Sequence, residues 1–121
     1  MHNLISISDL SKTEILDVLN LASEFKQGKT SKILSGRVIS SCFFEASTRT
    51  RLSFESAIQR LGGLVIGFAD SGATSMANKG ESLADTLKII GAYCDAMIIR
   101  HPQDGAARLA SEICKIPIIN A

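Results

Sequence analysis

Apolar positions along the chain switch between a helical and a strand-like period. Ile15, Leu19, Ala22 and Phe25 recur at helical spacing behind Ser11-Lys12-Thr13-Glu14, a capping-box signature, and Gly28 is a stop signal. That pattern predicts an N-terminal helix. The stretch from Gln27 to Gly36 is polar and turn-rich and reads as a loop. Val38 to Phe44 is rich in β-branched and aromatic residues and predicts a short buried strand. From Thr50 to Leu61 the apolar residues Phe54, Ala57, Ile58 and Leu61 fall on one helical face, and Gly62-Gly63 ends the run. The unit then repeats. Leu64 to Phe68 predicts a strand, Ala69 to Gly80 a polar loop, and Ser82 to Tyr93 a helix with Leu83, Leu87, Ile90 and Cys94 on one face. Ala96 to Ile99 predicts a third strand, Asp104 a cap for a helix through Ile113, and Ile116 to Ile119 a fourth strand.

Apolar strands alternating with helices predict an α/β fold: a parallel sheet of about four strands with helices on both faces. Right-handed crossovers then bring every strand's C-terminal end to one edge, where open α/β sheets bind their ligands. The loops after the strands are where chemistry is expected.

Composition narrows the class without changing that picture. The chain has 121 residues, with 13 Lys+Arg against 12 Asp+Glu and a net charge of +1. This length fits one domain, or one half of a two-domain protein. Hydrophobic residues at 45% supply enough apolar surface to exclude a disordered chain, and the near-zero net charge argues against a nucleic-acid binder. Cys42, Cys94 and Cys114 are odd in number, lie in apolar runs and form no CxxC pair, so they read as buried, reduced thiols rather than zinc ligands. The N-terminus shows no signal-peptide pattern and no apolar run approaches the roughly 20 residues of a membrane span. A soluble, cytoplasmic chain without membrane contact is expected.

Three post-strand segments carry candidate chemistry. After the first strand comes Phe43-Phe44-Glu45-Ala46-Ser47-Thr48-Arg49-Thr50-Arg51. Ser47 or Thr48 can cap the following helix, whose first-turn amides and dipole form an anion site. Arg49 and Arg51 oppose that dipole by about 0.3–1 kcal/mol each unless an anion is bound there. The alternative is an ordinary cap with solvated arginines paired to Glu45 or Glu55. The loop from Asp70 to Gly80 carries one lysine, Lys79, among small residues, and reads either as a functional loop or as plain surface. After the third strand, Arg100 emerges at the same edge as the Ser47 turn, and the two arginines could clamp a dianion or polarise a carbonyl. His101 beside Pro102 is open between a packing and a catalytic role. Asp95, at the opposite edge, reads as structural.

These residues carry a resemblance. Phe44-Glu45-Ala46-Ser47-Thr48-Arg49-Thr50-Arg51-Leu52-Ser53-Phe54-Glu55 resembles the carbamoyl-phosphate signature of the transcarbamoylases. Lys79-Gly80-Glu81-Ser82 and Arg100-His101-Pro102-Gln103-Asp104-Gly105-Ala106-Ala107-Arg108 favour the aspartate over the ornithine branch of that family. The resemblance spans the whole chain. It implies a carbamoyl-phosphate-binding domain over residues 1–121 and carbamoyl transfer from carbamoyl phosphate to L-aspartate, on the way to pyrimidines. Ser47, Thr48, Arg49 and Thr50 are then implied to hold the phosphate, and Thr50 and Arg100 to contact the carbamoyl oxygen. Ser75 and Lys79 are implied to reach a neighbouring subunit's site, Lys79 also near the aspartate. Arg49, Thr50 and Arg100 become the implied catalytic residues. A homotrimer with shared sites follows, with regulatory chains as a further class of partner, and no metal, cofactor or covalent intermediate is called for.

Two departures qualify what the resemblance implies. Asn78 stands where many family members have a second lysine. The His-Pro-x-Gln element and the aspartate-binding domain of the family lie outside these 121 residues, so the chain by itself is expected to be inactive. Two other readings stay open: a non-catalytic phosphate-binding or oligomerisation module, and an ornithine carbamoyltransferase.

Overall fold

In a computed structural model of the chain, residues 2–69, 80 and 82–121 are described. A single 3-10 turn, Ile7–Asp9, precedes α1 (Lys12–Lys26). Then follow β1 (Val38–Phe43), α2 (Thr48–Arg60), β2 (Leu64–Ala69), α3 (Leu83–Gly91), β3 (Ala96–Arg100), α4 (Ala106–Ile113) and β4 (Ile118–Asn120). The expected α/β fold is present. The sheet has 4 strands in the order β2-β1-β3-β4, every pair parallel. Val38 to Phe43 pairs with both neighbours, Phe43 lying opposite Ala69 on one side and Arg100 on the other. Beyond β4, Leu4 forms a parallel bridge to Ile119, with Leu4 N–H donating to Ile118 O at 2.8 Å and Asn120 N–H to Leu4 O at 2.8 Å.

Two apolar layers sandwich the sheet. On one face Ile39, Phe43 and Ile98 pack with Ile58 of α2, flanked by Phe54, Leu34 and Val65. On the other, Cys42, Met97, Ile99 and Ile118 pack with Leu87 of α3 and with Ala107 and Ala110 of α4. Leu87 is completely inaccessible, worth about 1.5–3 kcal/mol relative to an exposed leucine. Helices therefore cover both faces. One close approach ties β2 to β1: a Cβ built on Gly67 would sit 2.0 Å from Ser41 O, and Gly67 has φ +148°, so glycine is required there.

Several expectations need correction. The helix after β3 is not capped by Asp104; its N-cap is Gly105 in the left-handed region, with no side-chain cap. The predicted N-terminal helix forms as α1, yet no residue of it is buried, and Leu19 is 60% exposed. Being outside the β-α-β crossovers, α1 is not drawn onto the sheet by chain connectivity, although its Ser11–Glu14 capping box forms as expected. Of the three cysteines only Cys42 is buried; Cys94 and Cys114 are half-buried, and all are free. The fourth strand starts at Ile118 rather than Ile116, since Pro117 and the turn before it come first.

Candidate functional site

The strand order creates the site. From β1 the chain steps to β2 on one side, then crosses back to β3 on the other, so connections diverge at the C-terminal ends of β1 and β3. Ligands of open parallel sheets occupy the crevice at such a switch point. The two segments framing this crevice are the Ser47 turn after β1 and the Arg100 turn after β3. Backbone joins them: Phe44 N–H donates to Arg100 O at 2.8 Å.

The Ser47 turn opens into α2 unlike the start of α1 or α3. Ser11 and Ser82 each accept a hydrogen bond from the third residue of their helix, at 3.2 Å and 3.1 Å. Ser47 occupies the N-cap position of α2 in extended conformation, yet its hydroxyl makes no cap hydrogen bond. The first-turn amides of α2 are thus left without a side-chain acceptor among the described residues, and no acidic residue lies in that turn. Open amides and the positive helix end favour an anion.

The structure separates the two arginines of this turn. Arg51 Nε donates to Glu55 Oε1 at 2.9 Å, one helical turn on, so Arg51 follows the ordinary surface alternative. Arg49 is exposed and forms no ion pair among the described residues. Thr48 is exposed, while Ser47 and Thr50 are half-buried. The cluster therefore offers open amides, three hydroxyls and one uncommitted guanidinium.

Arg100 sits at the same edge but is already engaged. Its Nε donates to Glu45 Oε1 at 2.6 Å, with both side chains 35% exposed. Such a half-exposed pair contributes about 0–1 kcal/mol to stability, so its importance is orientation. With Nε held by Glu45, the Nη donors remain available for a bidentate contact with a ligand oxygen. Glu45 as the partner of Arg100, rather than of a nearby arginine on α2, was not legible in the sequence. The strand register that brings residues 43 and 100 side by side is a tertiary fact.

His101 packs rather than projects. Its ring lies 4.8 Å from that of Phe44 at 52°, and Phe44 meets Phe68 edge-on at 5.0 Å. Gln103 N–H donates to His101 Nδ1 at 2.9 Å. Burial pushes His101 below the ordinary histidine range, against the raising effect of Glu45. Asp95 is structural, as expected: at the opposite edge it accepts from Val38 N–H at 2.8 Å and from Arg37 Nη1 at 3.0 Å. Those bonds hold its carboxyl below the usual range.

Ser75, Asn78 and Lys79 lie outside the described residues. Burial pushes the Cys42 thiol up to about 12, and the Cys94 and Cys114 thiols are raised for the same reason, none of them suited to nucleophilic chemistry. Among the described residues there is no group of His, Cys, Asp and Glu able to hold a metal, and no helix long and apolar enough to cross a membrane.

Comparison with known proteins agrees with this geometry. The family model of the aspartate/ornithine carbamoyltransferase carbamoyl-phosphate-binding domain matches residues 2–121. A catalytic subunit of aspartate carbamoyltransferase from Shewanella halifaxensis is 58% identical over 98% of this chain, which spans 38% of that relative's length. The catalytic subunit of M. jannaschii aspartate transcarbamoylase superposes with a TM-score of 0.87 at 48% identity, over 100% of this chain and 42% of that one. The anabolic ornithine carbamoyltransferase of Campylobacter jejuni gives 0.88 at 35% identity, over 100% and 39%. An aspartate transcarbamoylase from Trypanosoma cruzi, in complex with carbamoyl phosphate and aspartate, gives 0.85 at 36%, over 98% and 40%. Backbone shape alone does not divide the aspartate from the ornithine enzymes. The matched family model, covering an open helix N-terminus and two arginines at the switch point, shows that the chain belongs to the aspartate/ornithine carbamoyltransferase family, in its carbamoyl-phosphate-binding domain.

Proposed function

We propose that this chain forms the carbamoyl-phosphate half of an aspartate carbamoyltransferase. The observation that carries the reading is the uncapped N-terminus of α2, with Arg49 in no ion pair among the described residues, at the same sheet edge as the Glu45-held Arg100. The phosphate dianion sits on the first-turn amides of α2, with the Ser47, Thr48 and Thr50 hydroxyls donating and Arg49 supplying charge. Arg100 and Thr50 donate to the carbamoyl oxygen. As the aspartate amine attacks the carbonyl carbon, a C–N bond forms and negative charge gathers on that oxygen, where these donors are already aimed. The C–O bond to phosphate then breaks, and the departing phosphate takes the amine proton. Positioning and electrostatics supply the rate, and the residues named need no cofactor.

The remaining parts of the reaction belong to the same proposal. Ser75 and Lys79 complete the site of a neighbouring subunit in a homotrimer, regulatory chains are further partners, and aspartate is gripped by a second domain beyond residues 1–121. The enzyme works in the cytoplasm. Support for aspartate over ornithine is the 58% identity to an aspartate enzyme and the Arg100-His101-Pro102-Gln103 segment. The test is a substrate panel on the complete catalytic chain. Carbamoylation of L-aspartate but not L-ornithine is expected; the reverse preference makes the protein an ornithine enzyme, and phosphate binding without transfer to either makes it a binding module.

A further inference from the structure

The two segments that frame the switch point are tied together by a side chain with no part in the chemistry above. His101 follows Arg100 directly and closes its own turn, Nδ1 accepting from Gln103 N–H at 2.9 Å. The same ring rests on Phe44, 4.8 Å away, and Phe44 leads straight into Glu45 and the Ser47 turn. Phe44 in turn abuts Phe68 near the end of β2 at 5.0 Å. Three side chains from three adjacent strand ends thus form an aromatic tie along the edge that carries the candidate site.

We propose that His101 is a positioning residue for the carbamoyl-phosphate site: as a neutral imidazole it locks the turn that carries Arg100 against the turn that carries Glu45 and Ser47, and protonation releases that lock. The argument rests on the direction of one hydrogen bond. An amide N–H can only donate, so Nδ1 must be unprotonated, and the ring proton of neutral His101 resides on Nε2. Imidazolium carries a proton on both nitrogens. At Nδ1 that sets donor against donor and breaks the bond to Gln103, whose exposed amide turns to water, so the turn that carries Arg100 loses its closure. The change lands one residue from Arg100 and, through the ring contact, one residue from Glu45.

The charged groups around the ring are Glu45 from the turn after β1, Arg100 from β3, and Asp104 and Arg108, which line with His101 a cavity of about 180 Å³. Arg108 is itself bonded to Asp9 at 2.9 Å. Burial outweighs the attraction of Glu45, so protonation occurs below the usual histidine value. The lock is therefore closed at neutral pH and opens in acid.

This inference rests on the carbamoyl-transfer reading, and the experiment separates the two. In the complete catalytic chain, kcat/KM for carbamoyl phosphate is followed between about pH 5 and 8 for wild type, His101→Asn and His101→Phe. Asparagine keeps a short acceptor that does not titrate; phenylalanine keeps the ring contact without any acceptor. The expected wild-type profile falls in acid by about two- to tenfold, the scale of one lost hydrogen bond. His101→Asn lacks that limb and recovers most of what His101→Phe loses at pH 8, while His101→Phe stays about two- to tenfold down throughout. Acid limbs that superimpose in wild type and His101→Asn, or a folded His101→Phe that matches wild type at pH 8, overturn the role of His101. A wild-type chain that transfers nothing to aspartate instead ends the carbamoyl-transfer reading, and the same three proteins are then compared by calorimetric titration with inorganic phosphate, with the same pattern expected of the affinities.

Discussion

Replacing Arg49 by alanine separates what the site costs from what it does. In the unliganded chain Arg49 stands at the positive end of α2 with no ion-pair partner among the described residues, so it opposes the helix dipole. Removing it should leave stability unchanged or raise it, by no more than about 0.3–1 kcal/mol, since the group is exposed and screened. For a domain of this size that is a rise in melting temperature of roughly 2–6 °C at most. Nothing in the packing offsets this, because Arg49 touches neither apolar layer.

Function should move the other way and by far more. Carbamoyl phosphate brings a dianion to the open amides, and further negative charge arrives on the phosphate as its bond to carbon breaks. A guanidinium there is worth more in the transition state than in the ground state, so the loss concentrates in kcat rather than in affinity. Two charge-assisted hydrogen bonds of about 1.5–3 kcal/mol each set the scale, roughly 10²–10⁴-fold in turnover. The assay pairs steady-state kinetics on the complete catalytic chain with thermal melts of the unliganded protein. Activity within tenfold of wild type would refute the assignment of Arg49 to the phosphate. A melting temperature lowered by several degrees would refute the claim that it is an unpaired cation opposing a dipole.

Two further outcomes probe the fold beneath the site. Gly67→Ala should prevent a stable fold, because its Cβ would lie 2.0 Å from Ser41 O in the central strand and neither backbone can yield; circular dichroism melts and expression level read this out, and a variant as stable as wild type would show that β2 can shift away from β1. Thiol titration of the native protein should be slow at all three cysteines at pH 8, Cys42 slowest, because burial pushes its thiol up to about 12 and raises the other two; fast labelling of Cys42 would mean that β1 opens readily.

What the sequence made legible follows from local periodicity. β1, β2, α2 and α3 were readable because their apolar residues repeat with the period of the element they form, and because glycines follow α1 and α2. The strand order was not. Nothing in the pattern says that β3 lies beside β1 instead of beside β2, yet that single crossover creates the switch point and brings Arg100 to Glu45. Helical periodicity states that a helix has an apolar side, and it does not state that the described part of the molecule supplies a partner. Leu16, Val18, Leu19 and Leu21 of α1 remain substantially exposed. Asp104 misled because a good capping residue one position early loses to Gly105, whose left-handed backbone already sets the entry into α4.

The candidate site was found where local preferences are broken, and the structure shows which breaks carry information. By sequence alone Arg49 and Arg51 are equivalent, two cations on the wrong end of one helix. In the folded chain Glu55 neutralises Arg51 within α2, so that arginine satisfies the ordinary rules of a surface helix and reports nothing about a ligand. Arg49 has no such partner among the described residues, and Ser47, the residue placed to cap the helix, does not cap it. Two unsatisfied features in one turn, supported on a central strand whose side chains are almost wholly buried, are difficult to explain by chance of packing. The rigid strand keeps the open amides and the cation in place before any ligand arrives, so reorganisation is not charged against binding. An anion of the right shape turns each unfavourable feature into a contact.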